Sequence, residues 1–296
     1  VIRIGLVSAR PVPPSLVEHA RALLGTVAGD VLASDTSRPG WSGVALTGVP
    51  LAGAAADVDV ALAAELRAPA TALGVDVGVS AGPLAADGVG LLVMDVDSTL
   101  ITAEVIELLA EHAGTREQVA EVTERAMRGE LDFAASLRER VATLAGLDVA
   151  VLEEVRAAVE LSAGARELVA AVQERGGRVG LVSGGFLEVV GPLAAELGID
   201  HVEANRLEVD GGRLTGRTTG PVVDRAAKER HLRAWAQADG VPLARVVAVG
   251  DGANDLDMLA AAGLGVAYCA KPVVQEQARA AVTFPRLDAV LGLLGG

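Results

Sequence analysis

Apolar and polar positions follow two regimes along the chain, which meet near residue 86. In the first, apolar stretches at 2–8, 27–34, 41–49 and 75–79 read as strands. Two longer stretches with helical spacing, one after Pro13-Pro14-Ser15 and one over 54–72, read as helices. The order βαββαβ is that of a complete α+β unit of the ferredoxin-like type, able to close a core of its own. From Ser80 to Gly88, glycine, proline and small residues have the chemistry of a connection between two cores.

The second regime opens with Leu91-Leu92-Val93-Met94, four apolar residues with no charge among them. Such a run suits a strand buried on both faces, hence a parallel sheet. Helical segments at 103–113, 116–128, 132–145 and 150–159 follow with no strand between them, the pattern of a helical cap seated over strand ends. Strands and helices then alternate to the end of the chain, interrupted by a hairpin turning at Asp210-Gly211-Gly212. The expected architecture is therefore α/β: a Rossmann-like doubly wound parallel sheet with a helical-bundle cap, preceded by an α+β ferredoxin-like domain. Its bounds are 1–82 for the first domain, 83–88 for a linker and 89–296 for the second, divided into a core (89–102 and 161–296) and a cap (103–160).

Composition narrows the partners. The apolar fraction of 51% is high but only 2% is aromatic, so the cores are built from small aliphatic side chains. The longest candidate for a membrane span, 51–73, is broken by Asp57, Asp59, Glu65 and Arg67, and residues 1–7 lack the length of a signal-peptide apolar region. A cytoplasmic protein is expected. A formal charge of −14 without a Lys/Arg cluster disfavours nucleic acid and anionic lipid. The single cysteine, Cys269, and four scattered histidines provide no zinc-ligand spacing. What remains is a small-molecule partner.

Asp95 and Asp97 follow directly on the 91–94 strand and project to one side, into the crevice where open α/β sheets bind ligands. Two carboxylates that close repel, so keeping both implies a cation, a shared proton or divided labour. Three further stretches start where a strand ends or a helix begins. Ser183-Gly184-Gly185 offers a hydroxyl and free N–H groups, Lys228 a point charge, and Gly250-Asp251-Gly252-Ala253-Asn254-Asp255 a second set of carboxylates. Hard oxygen ligands beside an anion cradle suit Mg2+ and a phosphoryl group. In that setting Asp95 can attack phosphorus while Asp97 protonates the leaving oxygen and later deprotonates water.

The order of these motifs, D-V-D-S-T at 95–99, S-G-G at 183–185, Lys228 and G-D-G-A-N-D at 250–255, resembles the haloacid dehalogenase superfamily, and within it the phosphoserine phosphatase family, over about residues 88–294. The resemblance implies Asp95 as nucleophile and Asp97 as acid/base. It places Ser183, Gly184, Gly185, Lys228 and Asn254 around the phosphoryl group. Mg2+ would be held by the Asp95 carboxylate, the Asp97 main-chain carbonyl and Asp251, with Asp255 in support. In the cap, Glu104 and the Arg140 of F-x-x-S-L-x-x-R would take the ammonium and carboxylate of O-phosphoserine, and Met127 and Phe133 would exclude water. The first domain resembles ACT regulatory domains, which implies an amino-acid effector such as serine; a homodimer is a further partner left open. Other outcomes of the same residues are a related phosphomonoesterase, transfer to an acceptor such as homoserine, a phospho-acceptor switch, and an amino-acid sensor with an inactive core.

Overall fold

The computed structural model describes residues 1–128 and 130–296, with every side chain among them except that of Met127. The N-terminal residues form β1 (Ile2–Ser8), α1 (Pro14–Gly25), β2 (Ala28–Asp35), β3 (Ser42–Pro50), α2 (Val58–Ala72) and β4 (Asp76–Ala81). The four strands make an antiparallel sheet in the order β2-β3-β1-β4. Alternation along β1 sends Ile2, Ile4 and Leu6 into a core with Leu16, Leu62 and Leu66 of the two helices. This is the expected ferredoxin-like order.

The connection at 83–88 is not slack chain. It forms one helical turn, α3 (Pro83–Asp87), with proline at its first position, Leu84 buried, and the Arg245 guanidinium donating to the carbonyls of Asp87 and Gly88.

Beyond it come β5 (Leu91–Met94), the four cap helices α4 (Val105–Ala113), α5 (Arg116–Met127), α6 (Phe133–Ala142) and α7 (Val151–Ala158), then α8 (Ala165–Glu174), β6 (Arg178–Phe186) and α9 (Leu187–Glu196). The hairpin is β7 (His201–Asp210) and β8 (Arg213–Thr219), followed by α10 (Arg225–Ala238), β9 (Val246–Gly250), α11 (Leu256–Ala261), β10 (Leu264–Tyr268), α12 (Pro272–Gln277), β11 (Ala280–Val282) and α13 (Ala289–Leu293). The strands form one sheet, β11-β10-β9-β5-β6-β7-β8, parallel throughout except for the hairpin partner β8. Its middle strand is β5, which explains its lack of charge. Leu92 and Met94 face one helical layer, and Leu91 and Val93 the other. Among the described residues no helix is long and apolar enough to cross a membrane.

The cap leaves and rejoins the core through two adjacent antiparallel strands of chain. Ile101 pairs with Leu161, Thr102 N–H donates to the Glu160 carbonyl at 3.0 Å, and Ser162 N–H to that of Leu100 at 2.9 Å. The N-terminal sheet, for its part, lies with its second face on α13. A side chain at Gly5 would come within 2.5 Å of the Gly292 carbonyl oxygen, so only glycine permits that approach. Trp41 Nε1–H donates to the buried Asp288 carboxylate at 2.9 Å, and Asp76 accepts from Thr283 N–H at 2.7 Å. Trp41→Phe should therefore lower stability by ~0.5–1.5 kcal/mol, because the buried carboxylate loses one donor and keeps only the Arg286 guanidinium. The urea midpoint reads this, and an unchanged midpoint would show that the Trp41–Asp288 bond holds nothing.

Candidate active site

Parallel strands deliver their following loops to one edge of the sheet, and β5, β6 and β9 are neighbours in it. At that edge the chain after β5 turns back in a wide loop. Asp95 N–H donates to the Val249 carbonyl, Ile101 N–H closes the loop on Val96, and Ser98 sits at φ +56° in the left-handed region, which costs a non-glycine residue about 1–2 kcal/mol. The loop aims the acids. Asp95 accepts from Val96 N–H at 2.7 Å, and Asp97 from Val105 N–H, at the start of α4, at 3.2 Å. Gly185 packs so closely on Asp97 that a Cβ there would lie 2.7 Å from its Oδ2. Ser98 Oγ–H donates to Glu104 at 2.8 Å, which ties the start of the cap to the loop.

Beneath the loop lies Lys228, only 1% exposed. Its ammonium sits 2.6 Å from Asp95 Oδ2 and 2.7 Å from Asp255 Oδ1. Burial pulls its pKa down, but the two carboxylates outweigh burial and hold it protonated. Asp255 spends its other oxygen on Gly252 N–H at 3.0 Å, which braces the 251–254 loop. Thr99 Oγ–H reaches Asp251 at 3.3 Å, joining that loop to the first.

A cavity of about 410 Å³ opens above these groups, between core and cap. Asp95, Asp97, Asp251, Asn254, Gly184 and Gly185 form its floor, and Glu104, Phe133 and Arg140 its cap side. Ser183 and Lys228 differ from the expectation of direct lining. Both are buried in the floor, the Ser183 hydroxyl accepting from Gly185 N–H at 2.8 Å, because β6 continues to Phe186 instead of ending at Val182. Asp255 likewise lies below. Met127, expected over the cavity beside Phe133, falls outside the described side chains.

Ser136 and Leu137 line the cavity and were missed. Their signal was present: Phe133, Ser136, Leu137 and Arg140 are at i, i+3, i+4 and i+7 on α6 and share one face. Arg140 donates from Nε to the Ser136 carbonyl at 3.4 Å, and no ion pair joins it to Glu104 among the described residues. Both charges remain available to a ligand.

The site carries more negative charge than Lys228 offsets. Burial, reinforced by Asp255, lifts Asp95 well above the usual carboxylate range against the opposing pull of Lys228. Asp97 rises to about 7 through burial and the charge of Glu104, and Asp251 to about 6 through burial and the charges of Asp255 and Glu104. Oxygens of Asp95, Asp251 and Asp255 lie within 4.8 Å of one another. Hard carboxylate oxygens with surplus charge fit a divalent cation, which would keep Asp95 ionised. The grouping contains Asp95 and Asp251 of the expected set and adds the Asp255 carboxylate to them. The Asp255 oxygens are engaged by Lys228 and Gly252 N–H and those of Asp95 by Lys228 and Val96 N–H, whereas Asp251 accepts from Thr99 alone.

Residues 92–260 match the family model described as haloacid dehalogenase-like hydrolase. The chain belongs to the haloacid dehalogenase-like hydrolases. Among relatives, a phosphoserine phosphatase of Streptomyces coelicolor is 60% identical over 230 residues, 78% of this chain. The chain spans just over half, 56%, of the length of that relative. A solved structure described as a phospho-aspartyl intermediate analogue of phosphoserine phosphatase is 40% identical and superposes with a TM-score of 0.65, covering 69% of this chain and 97% of its own. The unliganded probable phosphoserine phosphatase of Vibrio cholerae, 35% identical with a TM-score of 0.74, covers 99% of this chain and 86% of its own.

The raised carboxyls make stability depend on pH. Asp97 and Asp251 bind protons in the folded protein up to about 7 and about 6, while unfolded aspartates release theirs near 3.9. Folding therefore takes up protons across that window, and metal-free protein should gain stability as pH falls from 7.5 towards 5. Urea unfolding at the two pH values in EDTA checks this, with the slope reduced in Asp97→Asn; a slope that Asp97→Asn leaves unchanged would remove Asp97 from its origin.

Proposed function

We propose that the chain hydrolyses O-phosphoserine to serine and phosphate, with Mg2+, through a phosphoryl group carried on Asp95. The observation that carries this reading is one cavity holding Asp95 and Asp97 on its floor and the opposite charges of Glu104 and Arg140 across from them. The family and the names of the relatives agree with it.

The substrate phosphoryl group sits over Asp95, within reach of Gly184 and Asn254, with Ser183 and Lys228 beneath. The Asp95 carboxylate, the Asp97 main-chain carbonyl and Asp251 would hold Mg2+, which when bound would offset the negative charge of the carboxylates and the phosphoryl group. An Asp95 oxygen forms a bond to phosphorus as the bond to the serine oxygen breaks. Asp97, kept partly protonated near neutrality by burial and Glu104, gives its proton to that leaving oxygen. Serine departs. A water then attacks the phosphorus, Asp97 takes its proton, and the bond to Asp95 breaks to restore the starting carboxylate. Lys228, already on Asp95, stabilises the negative charge as it moves between carboxylate and phosphoryl oxygens.

Glu104 takes the ammonium and Arg140 the carboxylate of the substrate, and Phe133, packed on Gly184, shields the reacting centre. The same reading places the reaction at the end of serine synthesis in the cytoplasm, divides the chain into a regulatory unit and a capped catalytic unit, and gives serine as the effector of the first. Support for that division is the separate antiparallel sheet with its own core.

Asp95→Asn should abolish phosphate release from O-phosphoserine while substrate binding by calorimetry persists, and turnover by this variant would contradict the assignment. Arg140→Ala should lower kcat/KM for O-phosphoserine by ~10- to 100-fold, the worth of a charged hydrogen bond, and that for an aryl phosphate far less. Equal losses on both substrates would argue against carboxylate recognition.

A further inference from the structure

Asn205 lies on β7, only 2% exposed, and lines no part of the cavity. Both ends of its carboxamide are spent. Nδ2–H donates to the Gly184 carbonyl at 2.9 Å, and Oδ1 accepts from Val223 N–H at 2.9 Å. One buried amide thus joins the end of β6 that carries Ser183 to the loop that leads into the helix carrying Lys228.

The ladder between β6 and β7 shows why an amide is needed there. Ser183 pairs with Ala204 and Phe186 with Asn205, so Gly184 and Gly185 bulge out of β6 towards the cavity with no partner on β7. A bulge strips those residues of ladder hydrogen bonds, and a buried carbonyl without a partner costs ~1–3 kcal/mol. Asn205 supplies the missing donor to Gly184. The other end of the same peptide unit, Gly185 N–H, donates to Ser183 Oγ at 2.8 Å. An ionised phosphoryl oxygen only accepts, so the Ser183 hydroxyl meets it as a donor, and the Gly185 N–H on its oxygen restricts the directions in which that proton can point. Across the bridge, Val223 precedes Asp224, whose side chain caps α10 by accepting from Ala227 N–H at 2.8 Å, and Lys228 N–H bonds the Asp224 carbonyl one turn on.

We propose that Asn205 is a positioning residue for phosphoryl transfer. Its amide fixes the plane of the Gly184–Gly185 peptide, hence the direction in which Ser183 donates, and holds that strand end in register with the start of the Lys228 helix. This rests on the phosphatase reading above and adds to it a residue that touches neither substrate nor metal.

The test uses Asn205→Ala and the near-isosteric Asn205→Asp, which keeps an acceptor for Val223 N–H and puts a carboxylate oxygen opposite the Gly184 carbonyl. kcat and KM for O-phosphoserine, inhibition by orthovanadate, and the urea midpoint are measured on each. A misplaced catalytic group costs up to ~100-fold, so kcat should fall ~10- to 100-fold in both variants, with KM changed less than about threefold because Glu104 and Arg140 are untouched. Orthovanadate, which adopts the geometry of the phosphoryl group in transfer, should lose inhibition by a similar factor, a loss that a merely structural role would not produce. Folded variants with unchanged kcat and unchanged orthovanadate inhibition would overturn the proposal. So would failure of both variants to fold, which would make Asn205 a core residue. A wild-type protein that releases no phosphate from O-phosphoserine would overturn the phosphatase reading instead.

Discussion

A single buried ammonium holds the acidic loops together. Lys228 reaches from α10 to Asp95 at the end of β5 and to Asp255 beyond β9, two strands that are neighbours in the sheet. Without it, carboxylates from two loops would face one another in a setting where unpaired charge is costly, and removing one partner from such a buried set typically costs ~3–5 kcal/mol. Yet one positive charge does not balance Asp95, Asp97, Asp251 and Asp255. Burial, together with the charge of Glu104 at Asp97 and those of Asp255 and Glu104 at Asp251, lifts Asp97 to about 7 and Asp251 to about 6, and the surplus charge suits a divalent cation. Structural need and chemical use thus share one origin.

The division of labour follows from the topology. Parallel strands place the reacting groups on a rigid floor, and the cap inserted after the first loop supplies the groups that face them. Ser98 joins the two directly, since the loop that aims Asp95 also donates to Glu104. Among the described residues the chain passes from core to cap and back through the paired segments at Ile101 and Leu161. The N-terminal sheet reaches the same neighbourhood from below. Trp41 bonds Asp288, and Asp288 packs so tightly on Gly164 that a Cβ there would come within 2.7 Å of its backbone nitrogen, a few residues beyond the segment that returns from the cap.

How much of this was legible in the residues depends on what each pattern reports. Periodicity reports burial, so β5, the cap helices and the βαββαβ unit could be read with only their ends shifted. Spacing and strand ends placed Asp95, Asp97 and Asp251 at one edge because a parallel sheet has only one carboxyl edge. Hydrogen-bond partners are another matter. That Lys228 would lie under the floor and that Asn205 would clamp a bulge both depend on contacts distant in sequence. Nor does composition distinguish a loose linker from the docked turn at Pro83–Asp87, whose burial of Leu84 depends on neighbours brought from elsewhere in the chain.

The central claim is that Asp95 carries the phosphoryl group between two displacements. Rapid acid quench of the protein during turnover of O-phosphoserine, followed by peptide mass mapping, tests it most directly. The expected result is one phosphoryl group on the peptide containing Asp95, labile to alkali and absent when Mg2+ is removed. Steady release of phosphate with no phosphoryl group on that peptide at any quench time would contradict the account.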